Sequence, residues 1–129
     1  ELVVENTAIA VEECSLKHKC SISDYIATSI FVEDGIAQHK WIIEFETDPN
    51  SKKEFMNDID KKLREINSDY DAKRSEGYCL LPPEIIVAEK GLFAEWLRNN
   101  ERLGGQYKVP RLDDSSKIFS DIMKLKTTY

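Results

Sequence analysis

The feature that most constrains this chain is a pair of β-rich runs on either side of an Asp-Gly step. Residues 25–33, Tyr-Ile-Ala-Thr-Ser-Ile-Phe-Val-Glu, are dominated by β-branched and aromatic side chains, which suit an extended, half-buried backbone. Residues 39–46 form a second such run, and Asp34-Gly35 between them is a turn signal. Side chains alternate across a strand, so Trp41, Ile43 and Phe45 share one face, while Lys40, Ile42, Glu44 and Glu46 share the other. These spacings predict an antiparallel hairpin.

Helical text surrounds the hairpin. Upstream, residues 2–18 fit a helix, with Val4, Ala8 and Val11 on one stripe with Cys14 or Ser15, and Glu12, Glu13 and Lys17 outward. Ser21 to Asp24 reads as a polar break. Downstream, Ser51-Lys52-Lys53-Glu54 matches a capping box, in which the Ser and Glu side chains satisfy free backbone N–H groups reciprocally. Phe55, Ile59, Leu63, Ile66 and Tyr70 then recur at helical spacing, which predicts one long helix to about Arg74, ended near Gly77. Its outer face, Lys52, Asp58, Lys61, Lys62 and Glu65, reads as solvated charge.

Pro82-Pro83 is expected to precede a third strand over residues 84–88, which Gly91 breaks. Leu92, Phe93, Trp96 and Leu97 make the inward stripe of a short helix ending near Glu101. Residues 106–112 read as a loop, because Pro110 fits neither a helix interior nor a central strand. Asp113 to Ser116 supplies a cap for a last helix striped by Ile118, Ile122 and Leu125. The expected fold is α+β, a single small domain with a three-stranded mixed sheet carrying helices in the order α-β-β-α-β-α-α. If the second and third strands are parallel, their helical connection crosses over right-handed.

The 129 residues fit one domain, and 41% hydrophobic with 33% charged residues is a globular balance. The net charge of -6 disfavours a nucleic-acid surface, which is usually basic. No apolar run approaches the ~18 residues of a membrane span. Glu1-Leu2-Val3-Val4-Glu5 lacks the basic start of a signal peptide. The absence of an initiator Met fits a piece of a longer protein. Three cysteines, Cys14, Cys20 and Cys79, suggest reduced thiols and a cytoplasmic setting. Cys14, His18 and Cys20 lack a nearby fourth zinc ligand, so they read as small packed thiols and a surface histidine, and no metal site is expected. Walker, GxGxxG and GxSxG patterns are absent. Asp58 with Asp60, and Asp113 with Asp114, read as helix surface and helix cap.

One segment carries chemistry: Gly104-Gly105-Gln106-Tyr107-Lys108-Val109-Pro110-Arg111. It places two cations, Lys108 and Arg111, on an irregular loop between glycines that allow movement and a proline that stiffens. A lysine head is a compact charge on a flexible stem, suited to a phosphate or a developing oxyanion. An ordinary surface lysine would look the same from the loop alone.

Residues 84–111, with Gly91-Leu92-Phe93 and the later Gln106-Tyr107-Lys108-Val109-Pro110-Arg111, resemble the C-terminal signature of the auxin-responsive Gretchen Hagen family of acyl-acid amido synthetases. The strand Trp41 to Phe45 and the helix through Tyr70 and Arg74 fit upstream in the same order, so the likeness spans nearly the whole chain. The family belongs to the acyl-adenylate-forming superfamily. The resemblance implies that residues 1–129 are the mobile C-terminal lid of such a ligase, with the ATP- and acyl-binding domain outside this chain. It implies ATP and Mg2+ as cofactors, bound mainly by that N-terminal domain. It implies small carboxylic acid and amino acid substrates, no nucleic acid and no membrane partner. Lys108 would be the catalytic lysine directed at phosphate, Gln106 and Tyr107 would position it, and Arg111 would brace the loop. Elsewhere in the superfamily the lysine often follows a glycine near the chain end, whereas here Tyr107 precedes it and a helix follows. The isolated domain is expected to be inactive. The competing reading is a non-catalytic α+β regulatory or protein-binding module, which would present an apolar surface patch to its partner.

Overall fold

The hairpin expected around Asp34-Gly35 frames the molecule. In the computed structural model, which describes residues 2–75, 79–102, 104 and 108–127, β1 (Ser21–Glu33) pairs antiparallel with β2 (Ile36–Thr47). Glu33 faces Ile36 across the two-residue turn, and Gly35 has φ 75°, a left-handed value that costs glycine nothing. Helix α1 (Val4–Lys17) precedes the hairpin. After it come α2 (Lys52–Ile66), α3 (Ser68–Ser75), β3 (Leu80–Ala88), α4 (Leu92–Arg102) and α5 (Lys117–Thr127). The sheet runs β1-β2-β3, with β3 parallel to β2, so it is the three-stranded mixed sheet of an α+β domain.

Helices cover both faces of this sheet. Trp41, Ile43 and Phe45 of β2 pack with Tyr25 and Ala27 of β1 against α1 and α2, where Phe55, Ile59 and Leu63 are fully buried. Ile42 and Ile26 point the other way, into Leu92, Phe93 and Trp96 of α4 and Phe119 and Ile122 of α5. The alternation read from residues 41–45 therefore assigns each side chain to its core. Each of these large apolar side chains gains about 1.5–3 kcal/mol from burial.

The strands are longer than expected. β1 begins at Ser21, because an edge strand tolerates polar residues along its free side. β3 includes Pro82 and Pro83, which the sequence placed before it. Between the pairs Gln38–Leu81 and Lys40–Glu84 the register slips, and both prolines lie in that irregularity on an edge strand. No ladder N–H is needed there, and Gln38 Nε2 donates to the Pro82 carbonyl at 2.8 Å.

Two helices depart from the expected pattern. On α1 the buried face is Thr7, Ala10 and Cys14, while Val4 and Ala8 are exposed. A polar threonine can face inward because its hydroxyl donates to the Val4 carbonyl at 2.7 Å and sits 3.0 Å from Tyr25 Oη. The helix closes in a Schellman motif: Cys20 N–H donates to Ser15 O, Lys19 N–H donates to Leu16 O, and Lys19 takes φ 51°. The long helix expected to run to Arg74 is two. Asn67 adopts extended φ/ψ after Ile66, and its side-chain oxygen accepts from Tyr70 N–H at 2.9 Å, capping α3. An asparagine at a helical spacing position offers the backbone this alternative bond, which periodicity does not see.

Ion pairs tie α1, α2 and α3 together. His18 is not a surface histidine: its side chain is 13% exposed, Nε2 lies 2.7 Å from Asp58 Oδ2, and its ring sits edge-on to Phe55. That bond holds the Asp58 carboxyl below its ordinary range. Asp60 accepts from Arg74 Nε and Nη2 at 2.9 and 2.8 Å and from Tyr70 Oη at 2.6 Å. Asp58 and Asp60 are thus inter-helix partners rather than plain helix surface. Asp60→Ala should cost about 2–3 kcal/mol, since it strands a partly buried guanidinium and phenol. Urea unfolding followed by far-UV circular dichroism checks this, with Asp60→Asn expected to cost less.

Candidate functional site

Residues 108–116 cross the sheet edge beside β1, and their anchoring is unusually dense. Val109 is 8% exposed and belongs to the α4–α5 core. Pro110 follows with its fixed φ. The Arg111 guanidinium then pairs with Asp24, donates to the Tyr25 carbonyl at 3.0 Å, and lies 4.4 Å above the Tyr25 ring. Tyr25 is itself stacked on the buried Trp41 at 5.5 Å. Backbone bonds complete the attachment: Ala27 N–H donates to Arg111 O, and Asp113 N–H donates to Ala27 O, both at 2.9 Å. Leu112 thereby forms an isolated parallel bridge to Ala27.

The far end of the loop is fixed as well. Asp113 is buried, and its Oδ2 accepts from Phe119 N–H at 2.9 Å, the cap expected for α5. Thr28 Oγ1 donates to the Asp113 carbonyl and lies 2.6 Å from Ser116 Oγ. Ser116 is held at φ 62°, a left-handed conformation uncommon for serine.

Lys108 is exposed at the head of this braced stretch. It stands one residue from buried Val109 and three from Arg111. Arg111 spends its guanidinium on Asp24 and Tyr25. Gln106 and Tyr107, expected to position the lysine, lie outside the described residues. Asp24, Tyr25 and Glu44 were not singled out from the sequence. Asp24 and Arg111 are 87 residues apart, so no local pattern joins them. Glu44 is 9% exposed on the central strand, faces Asp24 across the ladder, and accepts from Phe93 N–H at 3.2 Å at the start of α4. That carboxylate explains the Gly91-Leu92-Phe93 step. Gly91 at φ 97° turns the chain so that the Phe93 N–H, in the first turn of α4, meets the buried Glu44 carboxylate.

On the other side of the 112–114 segment lies a cleft of about 210 Å³, bounded by β1, β2, α3 and the start of β3. His39 lines it and packs its ring 5.6 Å from Tyr70. Burial, aided by the Lys73 ammonium, lowers the His39 imidazole to about 4, so it is neutral at pH 7. Burial with the Asp58 charge raises Cys14 to about 11, which leaves an inert thiol. Among the described residues no three His, Cys, Asp or Glu side chains are placed to hold a metal ion. Among the same residues no helix is long and apolar enough to cross a membrane.

A mixed sheet covered by helices on both faces, with a lysine on a loop clamped to its edge strand, defines a small α+β domain. The chain belongs to the GH3, or Gretchen Hagen, family: the model of the GH3 family C-terminal domain matches residues 5–117. Its fold is similar to that of the GH3.15 acyl acid amido synthetase, with a TM-score of 0.69 and 19% identity over 95% of this chain. It is likewise similar to AtGH3.15 acyl acid amido synthetase in complex with 2,4-DB, with a TM-score of 0.73 and 17% identity over 93% of this chain. The chain spans 23% of the length of each. At these identities the likeness is one of fold. No curated protein matches the chain by sequence.

His39 makes stability depend on acid. Its folded value lies below its ordinary 6.5, so the unfolded chain binds the extra proton. The stabilisation is complete above about pH 6.5 and is lost as pH falls toward 4. Tyr70 of α3 packs on the ring, Lys73 of α3 and the N-terminal ammonium add to the lowering, and Asp60 of α2 acts against it. Urea midpoints measured from pH 7 to 4 should fall more steeply for the wild type than for His39→Gln.

Proposed function

We propose that this chain is the mobile C-terminal lid of an ATP-dependent acyl-acid amido synthetase, with Lys108 as its phosphate-directed catalytic lysine. The observation that carries this reading is an exposed Lys108 on backbone anchored by Val109 and Arg111, in a chain of the GH3 family. In such a ligase a carboxylic acid and Mg-ATP give an acyl adenylate and pyrophosphate, and an amino acid then displaces AMP to form the amide. Negative charge develops between the α- and β-phosphates in the first step. One well-placed ammonium, in a site from which water is excluded, offsets that charge where it forms.

Each residue has a distinct task under this reading. Lys108 carries the charge. Arg111 acts through the loop as a positioning residue, because its own cation is paired with Asp24. Gln106 and Tyr107 orient the lysine. ATP, Mg2+ and the carboxylic acid are held mainly by a larger N-terminal domain, and the enzyme works in the cytoplasm. A lysine that must reach the phosphates for one half-reaction and withdraw for the next is best carried on a lid. The isolated domain is expected to have no adenylation activity.

The binding-module reading draws on a different feature. Phe31 is 80% exposed and Val32 43% exposed near the hairpin turn, a small apolar patch with room for a partner. ATP–pyrophosphate exchange by the full-length parent protein, across a panel of carboxylic acids, separates the two. Acid-dependent exchange that falls by roughly 10²-fold in Lys108→Ala is the expected result. Exchange untouched by the substitution would remove Lys108 from the first half-reaction. No exchange with any acid would favour the module.

A further inference from the structure

Asp24 sits at the corner where the lysine loop joins β1. Along the outer edge of that strand, Ala27 gives its N–H to Arg111 O and takes Asp113 N–H on its carbonyl. Two residues back, side chains complete the same edge. Asp24 Oδ1 accepts from Tyr25 N–H at 3.0 Å, and Arg111 Nη1 donates both to that Oδ1 and to Tyr25 O. The Tyr25 ring lies 4.4 Å from the guanidinium carbon, so the group is held by bonds at its rim and by a ring on one face.

The fold by itself gains little from the Asp24 charge. Asp24 and Glu44 are Cα partners across the β1–β2 ladder, and like charges set opposite each other there repel. The Asp24 and Arg111 side chains are 20% and 37% exposed, and a pair so open to water adds little to stability. What the pair does fix is the place of the Arg111 backbone. From there Pro110, with its restricted φ, and Val109, seated in the α4–α5 core, lead directly to Lys108. A displacement of about 1 Å at a group that acts on a transition state can cost ~10²-fold in rate.

We infer that Asp24 is a positioning residue for Lys108, acting through Arg111. The inference rests on the ligase reading of Lys108. Its test is acid-dependent ATP–pyrophosphate exchange by the full-length parent protein, comparing wild type with Asp24→Asn, Asp24→Glu, Lys108→Ala and the double variant Asp24→Asn with Lys108→Ala. Asn keeps an oxygen for Tyr25 N–H and removes the charge. It should lower kcat roughly fivefold, leave KM for ATP and acid within about twofold, and leave the urea midpoint of the same protein nearly unchanged. Asp24→Glu restores the carboxylate and should recover most of the loss. In the Lys108→Ala background Asp24→Asn should cost nothing more, because the group it positions is gone. Exchange lost in Lys108→Ala but untouched in Asp24→Asn would overturn this inference and leave the ligase reading standing. So would an Asp24→Asn loss that persists in full without Lys108, or one that Asp24→Glu reproduces. Exchange untouched in Lys108→Ala, or absent from the wild type with every acid, would overturn the ligase reading and this inference together.

Discussion

The central strand, hydrogen-bonded on both sides and buried on both faces, is the constraint on which the rest depends. β2 must supply apolar side chains in two directions at once. It does so by setting Trp41, Ile43 and Phe45 against α1 and α2, and Ile42 against α4 and α5. A three-stranded sheet is too small to be stable bare, and helices on both faces remove the apolar surface from water. The charged residues among these positions then need partners of their own. Lys40 pairs with Glu84 on the neighbouring strand at 3.5 Å, and Glu44 meets the start of α4. Burial of Glu44 is tolerable because the Phe93 N–H and the dipole of α4 replace part of the water it gives up.

The same arrangement places the lysine loop. The outer edge of β1 is free at Ala27, and the segment from Arg111 to Asp113 takes up its backbone N–H and carbonyl. Tyr25 extends the connection inward through Trp41 and through its hydroxyl to Thr7 of α1. The loop is thus attached to both cores: Val109 enters the α4–α5 side, and Arg111 rests on a ring that belongs to the other. A planar guanidinium suits this task, since it forms hydrogen bonds in its plane while stacking on an aromatic face.

Much of this was legible in the sequence, for physical reasons that differ by element. The hairpin could be read because alternation of period two and an Asp-Gly turn act locally. The Ser51 cap and the inward stripe of α4 could be read for the same reason. The break at Asn67 could not, because the apolar repeat continues through Ile66 and Tyr70 while a side-chain oxygen redirects the backbone. The inward face of α1 was misread because Thr7 is buried through a hydroxyl bond to Tyr25, which hydropathy does not register. Pro82 and Pro83 read as preceding the third strand, yet an edge position with a register slip accommodates both within it. In the loop, the residue types of Lys108 and Arg111 marked them out, but the partners Asp24, Tyr25 and Glu44 lie far off in sequence. The resemblance pointed to the family, and the contacts of Arg111 became visible only when the fold brought β1 beside it.

Anchoring at Val109 and Arg111 also bears on how the Lys108 charge explores space. With backbone held close by on that side, the ammonium moves on a four-carbon tether from a point near the fixed core. Most of the ordering entropy that a mobile segment would lose on docking has already been lost when the domain folds. What remains is rotamer freedom, a small term beside the rigid-body orientation of the whole domain. Delivery of this cation to any anionic target therefore depends strongly on where the domain sits.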